Sequence, residues 1–366
     1  MNNNKSSNDI NASILQWIRP EIRALNAYHV PPASNCIKLD AMENPYQWPE
    51  SMVDEWLGLV RDVELNRYPD PSASALKDSL RKSMSVPEGA DILLGNGSDE
   101  LIQMILMAIA GKEKTVLSVN PSFVMYDMVA TYAGMKYASA PLNEDFSLNI
   151  EAFLNAIKQH NPAIIFIAYP NNPTGNLFDR QGLQQIIEAA PGLVVIDEAY
   201  HAFAEDSFMS EAGYIDNLLV MRTVSKMGLA GLRLGLLAGK SQWLAEFDKV
   251  RLPYNLNVLT QATAKFALAH QSVLDEQTTI IRNNRELLFA ELSKLESLQV
   301  YPSQANFILF RTEENQASII FEKLKDAGVL IKNLSPVGGA LQDCLRVTVG
   351  MPNENAAFLK ALKQAL

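Results

Sequence analysis

Between residues 72 and 254, short apolar runs alternate with longer stretches whose apolar residues recur every three or four positions. The runs at 92–94, 116–119, 164–168, 194–197, 218–222 and 234–238 are strand-sized and nearly free of polar residues. That is the pattern of strands covered on both faces. The segments between them read as helices; in one, Ile150, Phe153, Leu154 and Ile157 repeat at helical spacing. Apolar strands alternating with helices predict an α/β unit built on a largely parallel sheet with helices on both sides. Ligands of such sheets bind at the carboxyl ends of the strands, so the residues directly after the runs are the candidates for chemistry.

After Tyr254-Asn255 the texture changes. Residues 259–297 are mostly helix-forming, with an apolar stripe of Leu274, Ile281, Leu288, Leu292 and Leu295. Strands are expected at 306–310, 329–331 and 345–349, and helices at 316–327 and 355–366, which makes a second, smaller α/β unit. Residues 14–46 carry several prolines behind an amphipathic start and read as an arm. The predicted division is an N-terminal arm at 1–45, a large domain at 46–256 and a small domain at 257–366. No repeat of the solenoid kind is present.

Bulk properties narrow the function. The 366 residues carry a net charge of -10, with 20% charged and 48% hydrophobic residues. Such a balance suits a soluble enzyme and argues against a nucleic-acid surface, which needs clustered Lys and Arg. The longest apolar runs, such as 163–168, are far too short to span a membrane. The polar start Met1-Asn2-Asn3-Asn4-Lys5 has no apolar core of a signal peptide. With Cys36 and Cys344 as the two cysteines, a reducing cytoplasm is the expected compartment. His29, His160, His201 and His270 have no metal spacing.

Three segments that follow apolar runs carry the chemistry: Asn171-Asn172-Pro173-Thr174-Gly175, Asp197-Glu198-Ala199-Tyr200 and Thr223-Val224-Ser225-Lys226. Behind the last lie a glycine-rich stretch and Arg233. A lysine, an aspartate, a tyrosine, an asparagine and an arginine on one sheet edge form a receptor for pyridoxal 5'-phosphate. Its aldehyde needs an amine that can also move protons, which Lys226 offers. Its ring nitrogen needs a buried carboxylate, and Asp197 ends an apolar run. Tyr200 and Asn172 can donate to the phenolate oxygen. The phosphate calls for amides at a helix start, hydroxyls and a guanidinium. Gly97, Ser98 and Asp99, with Thr223, Ser225 and Arg233, supply these. A dinucleotide fingerprint at Gly95-Asn96-Gly97 lacks its third glycine, where Glu100 stands, which argues against a nicotinamide-dependent oxidoreductase. Arg346 lies in a strand-like run, where an unpaired buried guanidinium is costly and should meet an anion.

The ordered set resembles the fold-type I aminotransferases of the aspartate aminotransferase superfamily and, within it, the histidinol-phosphate aminotransferases. Matching segments include Leu39-Asp40-Ala41-Met42-Glu43-Asn44-Pro45, Asn66-Arg67-Tyr68-Pro69-Asp70 and Cys344-Leu345-Arg346-Val347-Thr348-Val349-Gly350, and the likeness runs from about Ile18 to the C-terminus. It implies a seven-stranded-type sheet flanked by helices, with the arm packed on the small domain. It also implies that Phe123 stacks on the cofactor ring. A homodimer is expected, in which Tyr68 reaches the partner's cofactor. The substrate anion would meet Arg346, Tyr28 and Lys332, with Asn172 beside them. Lys332 stands where the family commonly has arginine, Met42 where it has asparagine, and the stretch from Lys226 to Arg233 is one residue shorter than in many relatives. The implied reaction is transamination between histidinol phosphate and 2-oxoglutarate. Aromatic amino acid aminotransferase and threonine-phosphate decarboxylase share the same cofactor seat. A non-catalytic PLP-binding regulator would need a DNA-binding module, for which the polar stretch before Ile14 leaves no room.

Overall fold

The computed structural model describes residues 7–27 and 36–366. In chain order the strands begin with β1 (Ile37–Lys38) and then the members of a large sheet: β2 (Asp91–Gly95), β3 (Thr115–Asn120), β4 (Lys136–Pro141), β5 (Ile164–Ala168), β6 (Leu193–Asp197), β7 (Leu218–Thr223) and β8 (Gly235–Gly239). A smaller group follows: β9 (Gln299–Val300), β10 (Phe307–Arg311), β11 (Val329–Leu330), β12 (Lys332–Asn333) and β13 (Cys344–Thr348). The large sheet runs β2-β8-β7-β6-β5-β3-β4. Only β8 opposes its neighbours in direction; the other pairings are parallel. The small sheet, β12-β13-β10-β9, is antiparallel.

Period-2 alternation explains why the central strands are apolar throughout. Leu193 and Val195 of β6 enter the core on one face, beneath the helices Gly97–Ile109, Met125–Ala133 and Ser241–Asp248. Val194 and Ile196 enter the core on the other, beneath Ile150–His160 and Arg180–Ala189. Both layers exclude water, so neither set of positions can be polar. β4 is not among the strands the pattern predicts. It forms the sheet edge, where Lys136 and Ser139 face outward, so its apolar signal is weak. The expected strand at 329–331 divides in two. β11 pairs in parallel with β1, and β12 pairs with β13 in the small sheet, so the chain changes sheets at Ile331.

Packing ties the units together. β1 and Leu39 join the small-sheet side, whereas Met52 joins the core of the large sheet. The helix Val258–Ala269, which texture assigns to the small domain, buries Ala264, Phe266 and Ala267 in the large core. The 22-residue helix Gln271–Leu292 makes the crossing: Leu274 lies in the large core, and Ile281, Leu288 and Leu292 in the small one. Among the described residues no helix is long and apolar enough to cross a membrane.

Candidate active site

The site is set by the phase of three central strands. Ala168, Asp197 and Thr223 end β5, β6 and β7 on the same face, and Ala168 pairs with Asp197 in register. The next residue after each turns the other way. Thus Glu198 faces the opposite layer, where Arg222 Nε donates to its Oε2 at 2.8 Å. On the site's face the Asp197 carboxylate is buried. Its Oδ2 accepts from Tyr126 Oη at 2.8 Å and its Oδ1 from the Ala199 amide at 3.1 Å. Burial pushes the Asp197 carboxyl up to about 7, with the Tyr126 hydrogen bond and the Ala199 amide opposing. Tyr126 lies stacked on Phe166, with ring centroids 4.9 Å apart, and meets Phe123 edge-on at 5.6 Å. One side chain therefore holds both the carboxylate and the aromatic wall.

Lys226 sits in a single helical turn, Ser225–Met227, directly after β7. Gly228 ends that turn at φ 109, a conformation open to glycine, and a Cβ there would meet Asn44 Nδ2 at 2.8 Å. The Lys226 ammonium donates to the Ala41 carbonyl at 3.3 Å and lies 5.8 Å from the Tyr200 ring centroid. Burial, then the nearby Arg346 guanidinium, brings its pKa down to about 8. A lysine in that range exchanges its proton readily near neutral pH.

β3 and β5 are sheet neighbours although β4 separates them in the chain, so a crevice opens where their following loops diverge. The β3 loop delivers Phe123, and the β5 loop delivers Asn172. Asn171 clamps the two loops, accepting from Ser122 Oγ and donating to Pro121 O. Asn172 Nδ2 donates to Tyr200 Oη at 3.2 Å, while Asn172 Oδ1 accepts from Arg346 Nη1 at 2.6 Å. Arg346, on β13, also donates to the Asp40 carbonyl at 3.0 Å and lies over the Phe307 ring. Burial raises the Tyr200 phenol, and the Arg346 charge opposes that rise.

At the other end of the cavity the helix Gly97–Ile109 points its N-terminus inward, with Ser98 and Asp99 on the lining. Free amides and the helix dipole there suit an anion. Gly97 is held at φ 81, and a Cβ would meet Arg233 Nη2 at 2.8 Å, so glycine is what lets the guanidinium approach. Arg233 reaches Asp99 Oδ2 at 3.3 Å. Thr223 Oγ1 donates to Ser225 Oγ at 2.9 Å or to Leu234 O at 3.0 Å, placing two hydroxyls beside the same seat.

The cavity opens to solvent at its mouth. Ser98, Asp99, Phe123, Asn172, Asp197, Tyr200, Thr223, Ser225, Lys226 and Arg233 all line it, with Gly97 directly behind Ser98 and Arg346 held to Asn172. Lys332 is the register partner of Arg346 across β12 and β13, yet it is not on the lining. Tyr68 is exposed, is not on the lining and stacks on Tyr254, with centroids 4.4 Å apart. Tyr28 lies outside the described residues. Sequence reasoning passes over Tyr126, whose one signal is its place on the first turn of a helix three residues after Phe123. It also passes over Ala41, whose contribution is a backbone carbonyl. Among the described residues no cluster of His, Cys, Asp and Glu could hold a metal ion. The donor set fits pyridoxal 5'-phosphate: an amine for the aldehyde, a buried carboxylate for a protonated ring nitrogen, and an anion seat for the phosphate.

A family model described as aminotransferase class I and II matches residues 34–362. The chain belongs to that family. A histidinol-phosphate aminotransferase of Nitrosococcus oceani is 56% identical over 350 residues, covering 96% of this chain and 97% of the relative. The histidinol-phosphate aminotransferase of Chromobacterium violaceum is 49% identical over 352 residues, covering 96% and 98%. The crystal structure of histidinol-phosphate aminotransferase from Sinorhizobium meliloti in complex with pyridoxal-5'-phosphate superposes with a TM-score of 0.84 at 24% identity, covering 94% of this chain and 96% of that one. The fold is therefore the fold-type I architecture that the sequence resemblance implies.

Proposed function

We propose that this protein transfers the amino group of L-histidinol phosphate to 2-oxoglutarate with pyridoxal 5'-phosphate as cofactor. The products are imidazole acetol phosphate and glutamate, a step of histidine biosynthesis. The observation that carries the reading is the meeting of Lys226 and Asp197 in one cavity that ends in an anion seat. The names of relatives at 56% and 49% identity support the choice of substrate.

When bound, the cofactor supplies the electron sink that lets a bond at the substrate's amine-bearing carbon break. Lys226 would hold the cofactor's aldehyde between turnovers, and its Nζ would take the proton that leaves the substrate's amine-bearing carbon. The lowered lysine pKa supports that role. Asp197, as a carboxylate, keeps the ring nitrogen protonated, and Tyr126 holds it in place. Tyr200 and Asn172 would donate to the cofactor's phenolate oxygen. The amides of Ser98 and Asp99, with Thr223, Ser225 and Arg233, would bind its phosphate, and Phe123 would supply an apolar wall for its ring. Arg346 takes the substrate phosphate in one half-reaction and the 2-oxo acid carboxylate in the other, since a guanidinium fork suits both anions. Lys332 and Tyr28 add to phosphate recognition.

The enzyme works as a homodimer in the cytoplasm, with Tyr68 contributing to the partner's site. The outward exposure of Tyr68, braced flat against Tyr254, supports that contact. Initial rates with histidinol phosphate, histidinol, threonine phosphate and phenylalanine test the substrate. Histidinol phosphate should be turned over far faster than the other three. Equal use of histidinol and histidinol phosphate would show that the phosphate is not read, and phenylalanine as the best substrate would make the protein an aromatic aminotransferase.

A further inference from the structure

The segment from Leu39 to Asn44 bridges the two units over the cavity. At one end the Leu39 amide donates to Leu330 O at 2.7 Å and the Leu39 carbonyl accepts from Thr348 N at 2.9 Å, both on the small-sheet side. At the other end Asn44 Nδ2 donates to Gln277 Oε1 at 2.9 Å and to Met227 O, next to Lys226. In between stands Met42 at φ 53. Asparagine and glycine adopt that left-handed conformation readily, whereas a methionine there is uncommon and strained. The backbone is pinned in it: the Met42 amide donates to Thr348 Oγ1 at 3.0 Å, and the Met42 carbonyl accepts from Asn306 Nδ2 at 2.9 Å. The half-buried side chain packs on the small core and lines the cavity with Lys226, Tyr200 and Asn172. Nothing in the backbone calls for methionine, so the benefit that offsets the strain lies in where the side chain points.

We infer that Met42 is a specificity-determining residue whose thioether forms the apolar wall for the ring of the amine substrate. The inference rests on the transaminase reading above. A thioether gains from contact with an aromatic ring and is flexible enough to follow its edge. A 2-oxo dicarboxylic acid presents no ring, so the wall favours the amine over the second substrate at one shared site.

Three variants test this, with each half-reaction followed in single turnovers and thermal melting recorded alongside. Met42→Asn and Met42→Gly remove the wall while relaxing the backbone, and Met42→Leu keeps an apolar wall. Asn and Gly variants should melt at the wild-type temperature or above it. Their kcat/KM for histidinol phosphate should fall about tenfold, the scale of a lost apolar pocket contact. Their use of 2-oxoglutarate should stay within about twofold and the Leu variant's use of histidinol phosphate within about threefold, both small beside that loss. Equal losses for both substrates, or no loss for either, would overturn the inference. So would a lowered melting temperature in both the Asn and Gly variants, since the side chain would then serve packing. A failure of the transaminase reading is distinguishable, because wild type itself would then leave histidinol phosphate unused.

Discussion

Asp197 and Glu198 are consecutive carboxylates at the tip of one strand, both buried, with opposite fates. Strand alternation sends Glu198 to the face where Arg222 waits; that guanidinium also donates to Met84 O and Ser207 Oγ at 2.8 Å each. The same alternation sends Asp197 to the cavity, where a phenol and an amide receive it. One carboxylate is matched by a protein cation; the other is pushed up to about 7 and suits a cation that arrives with a ligand. Burial makes a carboxylate structural when its counter-charge is built in and reactive when it is not.

The largest effect should come from the structural member of the pair. Glu198→Gln leaves the Arg222 guanidinium buried without its counter-charge and should destabilise the fold by about 3–5 kcal/mol. Denaturant unfolding measures this, and a loss under about 1 kcal/mol would mean that the pair is dispensable.

Asp197→Asn should slow transamination about 10²–10³-fold, roughly 2.7–4 kcal/mol, with pyridoxal phosphate still bound. Its effect on the stability of the cofactor-free protein has the opposite sign. The Asp197 pKa in the fold, about 7, lies above the unfolded value, about 3.9. The native state therefore binds the extra proton, and wild-type stability falls as pH rises between these values. Asn carries no such penalty, so the cofactor-free variant should gain on wild type as pH rises, fully so above about 7. A gain that is independent of pH would assign the titration to another group.

Tyr126→Phe should have the smallest effect. It removes one hydrogen bond to a carboxylate, about 1.5–3 kcal/mol for a charged partner. Because that bond lowers the Asp197 pKa, its loss should move the acidic limb of the activity–pH profile upward. A lowered rate with an unmoved profile would make Tyr126 a packing residue alone.

These contrasts mark what a sequence conveys. β5, at Ile164–Ala168, was legible to the residue because both of its faces are buried and every position is apolar. Asp197, Lys226 and Asn172 were legible because each follows such a run. Edge strand β4 was hidden by its polar outward positions. The Tyr126 hydrogen bond reaches a partner 71 residues away, and its one local signal is its place on the first turn of a helix just after Phe123. Met42 stands out in the sequence only as a departure from the family's asparagine; its left-handed backbone and its place on the cavity wall are seen in the fold alone. Local pattern conveys burial; the partners met across the fold decide what burial does.

Lys226 is the residue proposed to carry the cofactor. Borohydride reduction of the holoenzyme, followed by proteolysis and mass spectrometry of the peptides, tests it directly. The expected result is one phosphopyridoxyl group on the peptide that contains Ser225-Lys226-Met227. A label on any other lysine, or a protein that takes up pyridoxal phosphate yet yields no labelled peptide, would contradict it.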